Sequence, residues 1–270
     1  MDLGQVGIWR RWRDGTDDLR EIESLGFRAL WVGGSPSPEQ MRPFLEESTT
    51  LTVASGVVNV WRHDATEVAE GHRRLRSEFG DRFLLGIGIG HPEATSEYKK
   101  PLTKMREYLD ALDAADPPVA RDERLLAALG PKMLDLSAER SLGTHPYFTT
   151  AEHTRFARER VGDGPLVAPE VAVVLESDPE AARATAREFA ATYLGLTNYT
   201  SALLRVGLTE SDIADGGSDR LIDTVIPHGS AKEIAEAVRK HLDAGADHVS
   251  LQVLGGDRAG AYRALADALL

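Results

Sequence analysis

Eight short apolar segments recur along the chain, each followed by a stretch of helical character, and this alternation constrains the fold more than any other feature. The segments are residues 5–8, FRALWVGG, LTVASGVV, RFLLGIGIG, RLLAALG, LGTHPYF, PLVAPEVAVVLE and HVSLQVLG. A strand, a helix and then another strand is the pattern of parallel βα units, whose crossovers are right-handed. Such units close into an eight-stranded barrel or spread into a doubly wound open sheet. The count of eight, and the lack of any long second-domain segment, favour an α/β fold of the (β/α)8 TIM-barrel type. It is expected as a single domain over residues 1–270.

Local signals fit the intervening helices. Asp64 is placed to cap a helix over residues 65–79, and Gly26 to end one over 16–25. Pro131 suits the first turn of PKMLDLSAERS. After the seventh strand a helical stretch is expected from residue 178 to about 206. Further helical material between residues 197 and 226 reads as an insertion before the last strand, at the active face of a barrel. Its ADGGSD segment reads equally as a lid or as a solvated surface loop.

Charge and composition remove several function classes. A formal charge of -12 and a pI near 5.2 argue against broad nucleic-acid binding, which relies on a basic surface. An anionic small ligand held by local donors stays open. With no cysteine there are no disulfides, thiolate metal sites or thiol nucleophiles. No apolar run approaches the roughly 20 residues of a membrane span, and MDLGQVGIWRRWRDG lacks the apolar stretch of a signal peptide, so a cytoplasmic location is expected. No Walker loop, HExxH, nucleophile elbow or paired-His spacing is present, and no metal site is expected.

Barrels of this kind bind ligands at the carboxyl ends of their strands. The residues there are rich in glycine, which lets backbone approach a flat or anionic ligand. GIGIGHPE is not a dinucleotide fingerprint, because its third glycine is misplaced and no helix opens directly after it. Trp9, Trp31 and Trp61 fall near one mouth, where they suit either core packing or a planar ligand. His63, His91 and His145 follow strands, whereas His72, His153, His228, His241 and His248 fall in helical or surface contexts. Within LTVASGVVNVWRHDATEVAE, Ser55 and Gly56 interrupt a run of strand-forming residues, the mark of a bulge or a close ligand approach.

The stretches EIESLGFRALWVGG, TLTVASGVVNVWRHDATEVAEGHRRLRSEFGDRFLLGIGIGHPE, PLTKMREYLDALD and LAALGPKMLDLSAERSLGTHPYF resemble the luciferase-like superfamily of flavin- and deazaflavin-dependent oxidoreductases, and within it the actinobacterial branch that uses coenzyme F420. The resemblance implies a bulge with a non-prolyl cis peptide in the third strand, at Gly56–Val57. Val57 would press on the central ring of the cofactor, with Asn59 beside it. Gly90 and His91 would border the ring. Gly143 and Thr144, with His145, would offer donors to the phosphate-bearing tail. The expected activity is hydride exchange between the deazaflavin C5 and a small organic substrate. FMN in a monooxygenase of the same superfamily, or cofactor binding without catalysis, are the alternatives. A homodimer is expected by the same likeness. The chain departs from the pattern in carrying GGSPSP after strand two, Asp64 after the Arg-His pair and His91 after strand four. The family's acidic proton-handling residues therefore do not carry over, which leaves His91 and His145 as the candidates for that role.

Overall fold

The computed structural model describes residues 1–96 and 98–270. Ten strand segments alternate with helices: β1 (Val6–Arg11), β2 (Ala29–Gly33), β3 (Thr52–Ser55), β4 (Val58–Asn59), β5 (Phe83–Gly88), β6 (Arg124–Leu126), β7 (Gly143–Thr144), β8 (Leu166–Val167), β9 (Glu170–Val173) and β10 (Val249–Val253). All neighbours are parallel, in the order β8-β7-β6-β5-β3-β2-β1-β10-β9, with β4 also on β5. The ring closes through the chain itself, because β8 and β9 are successive parts of one strand. β8 pairs with β7 and β9 with β10. Between them the Ala168 amide donates to Thr144 O at 2.9 Å, and the Ser250 amide to Pro169 O at 3.0 Å. β3 and β4 are likewise the two parts of the third strand, which yields the eight-stranded barrel expected from the sequence.

Helices cover the outside. α1 is Leu19–Ser24, α2 Pro38–Glu47, α3 Ala65–Phe79, α4 Pro101–Asp113, α5 Pro131–Arg140 and α6 Ala151–Val161. Asp64 caps α3, accepting from the Thr66 and Glu67 amides. The α3 face made by Val68, Ala69, His72 and Leu75 is buried at helical spacing. Inside the barrel Trp31 is the largest fully buried side chain, with Ala29, Ala54, Leu84, Leu125 and Ala168 in the same cluster. Small residues on the neighbouring strands make room for the indole.

After β9 come α7 (Pro179–Leu194), α8 (Thr197–Arg205), α9 (Glu210–Ile213), α10 (Asp219–Val225) and α11 (Ala231–Asp243), and α12 (Arg258–Leu269) follows β10. The helical stretch expected over 178–206 is two helices, since the chain turns at Gly195 and Leu196 takes an extended conformation. α7, α8 and α10 share an apolar cluster of their own, built on Ala182, Ala186, Ala190, Leu203 and Ile222. No helix is long and apolar enough to cross a membrane among the described residues.

Two local expectations are corrected. The first strand, expected over residues 5–8, runs on through Trp9 to Arg11. LGTHPYF forms regular strand only at Gly143–Thr144; the His145 amide still donates to Leu126 O and Pro146 O accepts from the Glu170 amide, but Pro146 has no amide to extend the ladder and Phe148 takes a φ of 53°.

Candidate active site

The third strand breaks where Ser55 and Gly56 interrupt its apolar run. The Gly56–Val57 peptide is cis, and the ladder to β5 resumes at Val58. Ser55 Oγ donates to Gly86 O at 2.9 Å and accepts from Gly86 N at 2.8 Å, satisfying both groups where the bulge removes their strand partners. A side chain on Gly86 would begin 1.9 Å from Ser55 O, and one on Gly88 2.3 Å from Val57 Cγ2. The glycines of GIGIG therefore seat the bulge. Gly90, at a φ of 67°, leaves room in the same way for the Asn59 amide.

A cavity of about 920 Å³ opens against this bulge at the carboxyl ends of the strands. Gly56, Val57, Asn59, Gly90, His91 and His145 all line it. Gly143 and Thr144 do not: both are buried in the barrel wall, and a Cβ on Gly143 would lie 2.0 Å from Leu166 O. The structure does not bring these two residues to the cavity lining. The lining reaches this segment of chain only at His145 and Tyr147.

His145 is 1% exposed and stacks on Trp31 with ring centroids 4.1 Å apart and planes 10° from parallel. Its Nδ1 lies 2.7 Å from Ala168 O, which can only accept, so Nδ1 carries the proton and Nε2 is a bare acceptor. Burial holds its pKa at about 4, so the ring is neutral near pH 7. By the same reasoning His248 donates from Nδ1 to Gly4 O at 2.8 Å, and its Nε2 accepts from Trp31 Nε1 at 3.0 Å. His248 was expected in a helical or surface context; it is fully buried inside the barrel. His72, His153 and His241 are also buried, the last two on Leu129 O and the Thr154 hydroxyl. A ring nitrogen can satisfy polar groups that strands and helices leave over, and the sequence gives no sign of it.

Trp9 Nε1 and His145 Nε2 are buried without a hydrogen-bond partner among the described residues. They lie 2.9 and 3.3 Å from the place a Gly56 Cβ would take, so a donor and an acceptor converge on the bulge. At the rim His91 is half-buried, with Nδ1 3.3 Å from Asn198 Nδ2 and its ring 4.9 Å from that of Tyr199. Burial holds its pKa below the usual histidine range, outweighing the pull of Glu93.

Sequence reading missed the charge of the lining. Arg11, Arg13, Arg62, Lys132 and Arg205 face the cavity, and among the described residues no Asp or Glu does. None of the five has an ion-pair partner among the described residues. The RRWRD run held two of them, but only the barrel brings in the other three. α8 covers the opening with Asn198, Tyr199, Ser201 and Arg205, whereas ADGGSD lies outside the lining, its neighbour Asp212 bonded to Ser218 and Arg220. The covering part of the insertion is therefore α8. Glu170 is fully buried, with Oε2 accepting from the Phe148 amide at 3.3 Å and Oε1 without a partner among the described residues. Burial pushes its carboxyl up to about 8, so it is largely protonated at pH 7.

Fold and lining define an α/β barrel with a cationic cavity at the carboxyl ends of its strands. The chain belongs to the luciferase-like monooxygenase family, whose model matches residues 3–248. No curated protein sequence matches it. Among solved structures it is similar to an F420-dependent secondary alcohol dehydrogenase in complex with an F420-acetone adduct, at 13% identity and a TM-score of 0.78 over 99% of this chain and 98% of that one. It is similar to the coenzyme F420-dependent tetrahydromethanopterin reductase of Methanopyrus kandleri, at 14% identity and 0.71 over 99% of each. It also resembles the oxygenating constituent of 3,6-diketocamphane monooxygenase from Pseudomonas putida in complex with FMN, at 13% and 0.70 over 98% and 96%.

Proposed function

We propose that this protein is an oxidoreductase that binds coenzyme F420 in the cationic cavity and moves a hydride between the deazaflavin C5 and a small organic substrate. The observation that carries the reading is five cations without ion-pair partners, and no described carboxylate, around a bulge-walled cavity in a chain of net charge -12. A planar ring with an anionic tail fits such a lining. Gly56 and Val57 form the wall for the ring, supported from behind by Gly86 and Gly88. The unpartnered Trp9 Nε1 and His145 Nε2 suit polar atoms brought close to Gly56. The cations hold the tail, and α8 covers the mouth and limits water.

When bound, the deazaflavin supplies the hydride donor or acceptor. His145, neutral and enclosed, serves as an acceptor, and His91 at the rim is the polar group placed for substrate. Cofactor binding without turnover is a second reading. It is favoured by Ser35 and His91, which line the cavity where the family resemblance expects an acidic residue or a His, and a Glu, respectively.

Calorimetric titration with F420 and with FMN, side by side at two salt concentrations, tests the reading. Tight, salt-weakened F420 binding with little FMN binding is the expected result. FMN preference would move the assignment to a flavin monooxygenase. Binding of neither would overturn it.

A further inference from the structure

The His91 ring is held from one side by α8. Asn198 Nδ2 lies 3.2 Å from Gly90 O and 3.3 Å from His91 Nδ1. A carbonyl oxygen only accepts, so the amide turns its NH2 group, and not its oxygen, toward Gly90. That same NH2 faces His91 Nδ1 and has nothing to accept with. Nδ1 must then be the bare nitrogen, and in a neutral ring the proton sits on Nε2. Burial favours the neutral ring. Nε2 has no partner among the described residues, and the ring lines the cavity. α8 is itself fixed to the His91 loop, since Glu93 Oε1 accepts from the Thr197 amide at 3.0 Å and its hydroxyl at 2.6 Å.

We infer that Asn198 is a positioning residue that holds His91 in the Nε2–H form, so that the imidazole meets the cavity as a hydrogen-bond donor and not as a base. The substrate atom it serves is an acceptor, the oxygen of a carbonyl or the nitrogen of an imine. This role rests on the cavity being the active site; the tautomer does not. A neutral imidazole that donates polarises a double bond without giving up its proton.

The test is long-range proton–nitrogen correlation of the imidazoles in the 15N-labelled, cofactor-free chain near pH 7.5. The His91 signals are assigned by their loss in His91→Gln. The expected wild-type pattern is a protonated Nε2 and a bare Nδ1. Asn198→Asp places an acceptor beside Nδ1 and is expected to move the proton there, whereas Asn198→Ala is expected to give a mixture. His145 and His248 are expected to stay protonated at Nδ1 in every variant, which checks that the barrel is intact. A wild-type His91 protonated at Nδ1, or a pattern indifferent to both Asn198 changes in a folded chain, would overturn the inference and leave the cofactor reading untouched. Failure to bind F420 or FMN would instead remove the assigned role while the tautomer stood.

Discussion

The Ser55 hydroxyl spans the third-strand bulge, donating to one backbone group of Gly86 and accepting from the other at 2.9 and 2.8 Å. Ser55→Ala strands a buried amide and a buried carbonyl together, and is expected to cost about 2 kcal/mol in urea unfolding. Gly86→Ala drives a methyl group to 1.9 Å from Ser55 O, against backbone that cannot step aside. Its expected cost is about 3 kcal/mol. Gly164→Ala, with open space around it, is expected to stay within about 0.5 kcal/mol of wild type. Equal midpoints for all three would show that the glycines of β5 do not seat the bulge. The interruption at Ser55 and Gly56 was legible in the sequence because a polar residue and a glycine break an apolar run. That Gly86 and Gly88 answer it from the next strand was not legible, since that depends on register.

At the level of elements, the alternation of period and caps was readable for most strands and for α3, whose Asp64 cap and apolar face lie together in sequence. The break at Gly195 had a signal in the glycine and in the weak helix formers Thr197, Asn198, Tyr199 and Thr200 after it, but helical residues resume at once beyond them, so the stretch reads as one helix. Likewise Trp31, His145 and His248 are far apart in sequence and meet only when the ring closes, so no local pattern marks them. The fastening of α8 to the β5 loop through Glu93 and Thr197 has a measurable consequence. In Glu93→Ala, amide hydrogen exchange is expected to speed up several-fold in the first turn of α8 while α7, held by its buried alanines, keeps its protection. Unchanged exchange in α8 would mean that its own packing, and not the carboxylate, holds it.

For the whole molecule, the buried titratable groups set opposing slopes in stability. Five histidines, His72, His145, His153, His241 and His248, are each held at about 4 by burial, against an ordinary value of 6.5. The unfolded chain binds their protons more readily, so stability is expected to fall as pH drops from 6.5 toward 4. Glu170 runs the other way. Its carboxyl is raised from 4.5 to about 8, so the folded chain holds that proton more tightly and stability is lost as pH rises through this window. Well above pH 6.5 the histidines are neutral in both states, and the Glu170 slope is the one these groups leave. Melting temperature followed from pH 4 to 8.5 is expected to peak a little above pH 7, with Glu170→Gln flattening the alkaline side and steepening the acid side. A flat wild-type profile on that side would mean that Glu170 is ionised at little cost. The same molecule also combines a negative total charge with a positive mouth, so association of an anionic cofactor is expected to slow as salt rises.

Two of the eight strands are irregular, and they stand opposite one another in the ring: the third, offset at Gly56–Val57 but paired with β5 on both sides of the break, and the seventh, split into β8 and β9 while it bonds both neighbours across Val167–Glu170. In mechanical terms the cylinder has two seams. Each half between them is braced by its own ladders, while the third strand's ladder to β5 is offset at its break and the seventh keeps hydrogen bonds to both neighbours through its own. A cylinder interrupted at opposite points is expected to give most readily by a parting of its two halves, and because the break at Gly56–Val57 lines the cavity, that compliance would be felt there.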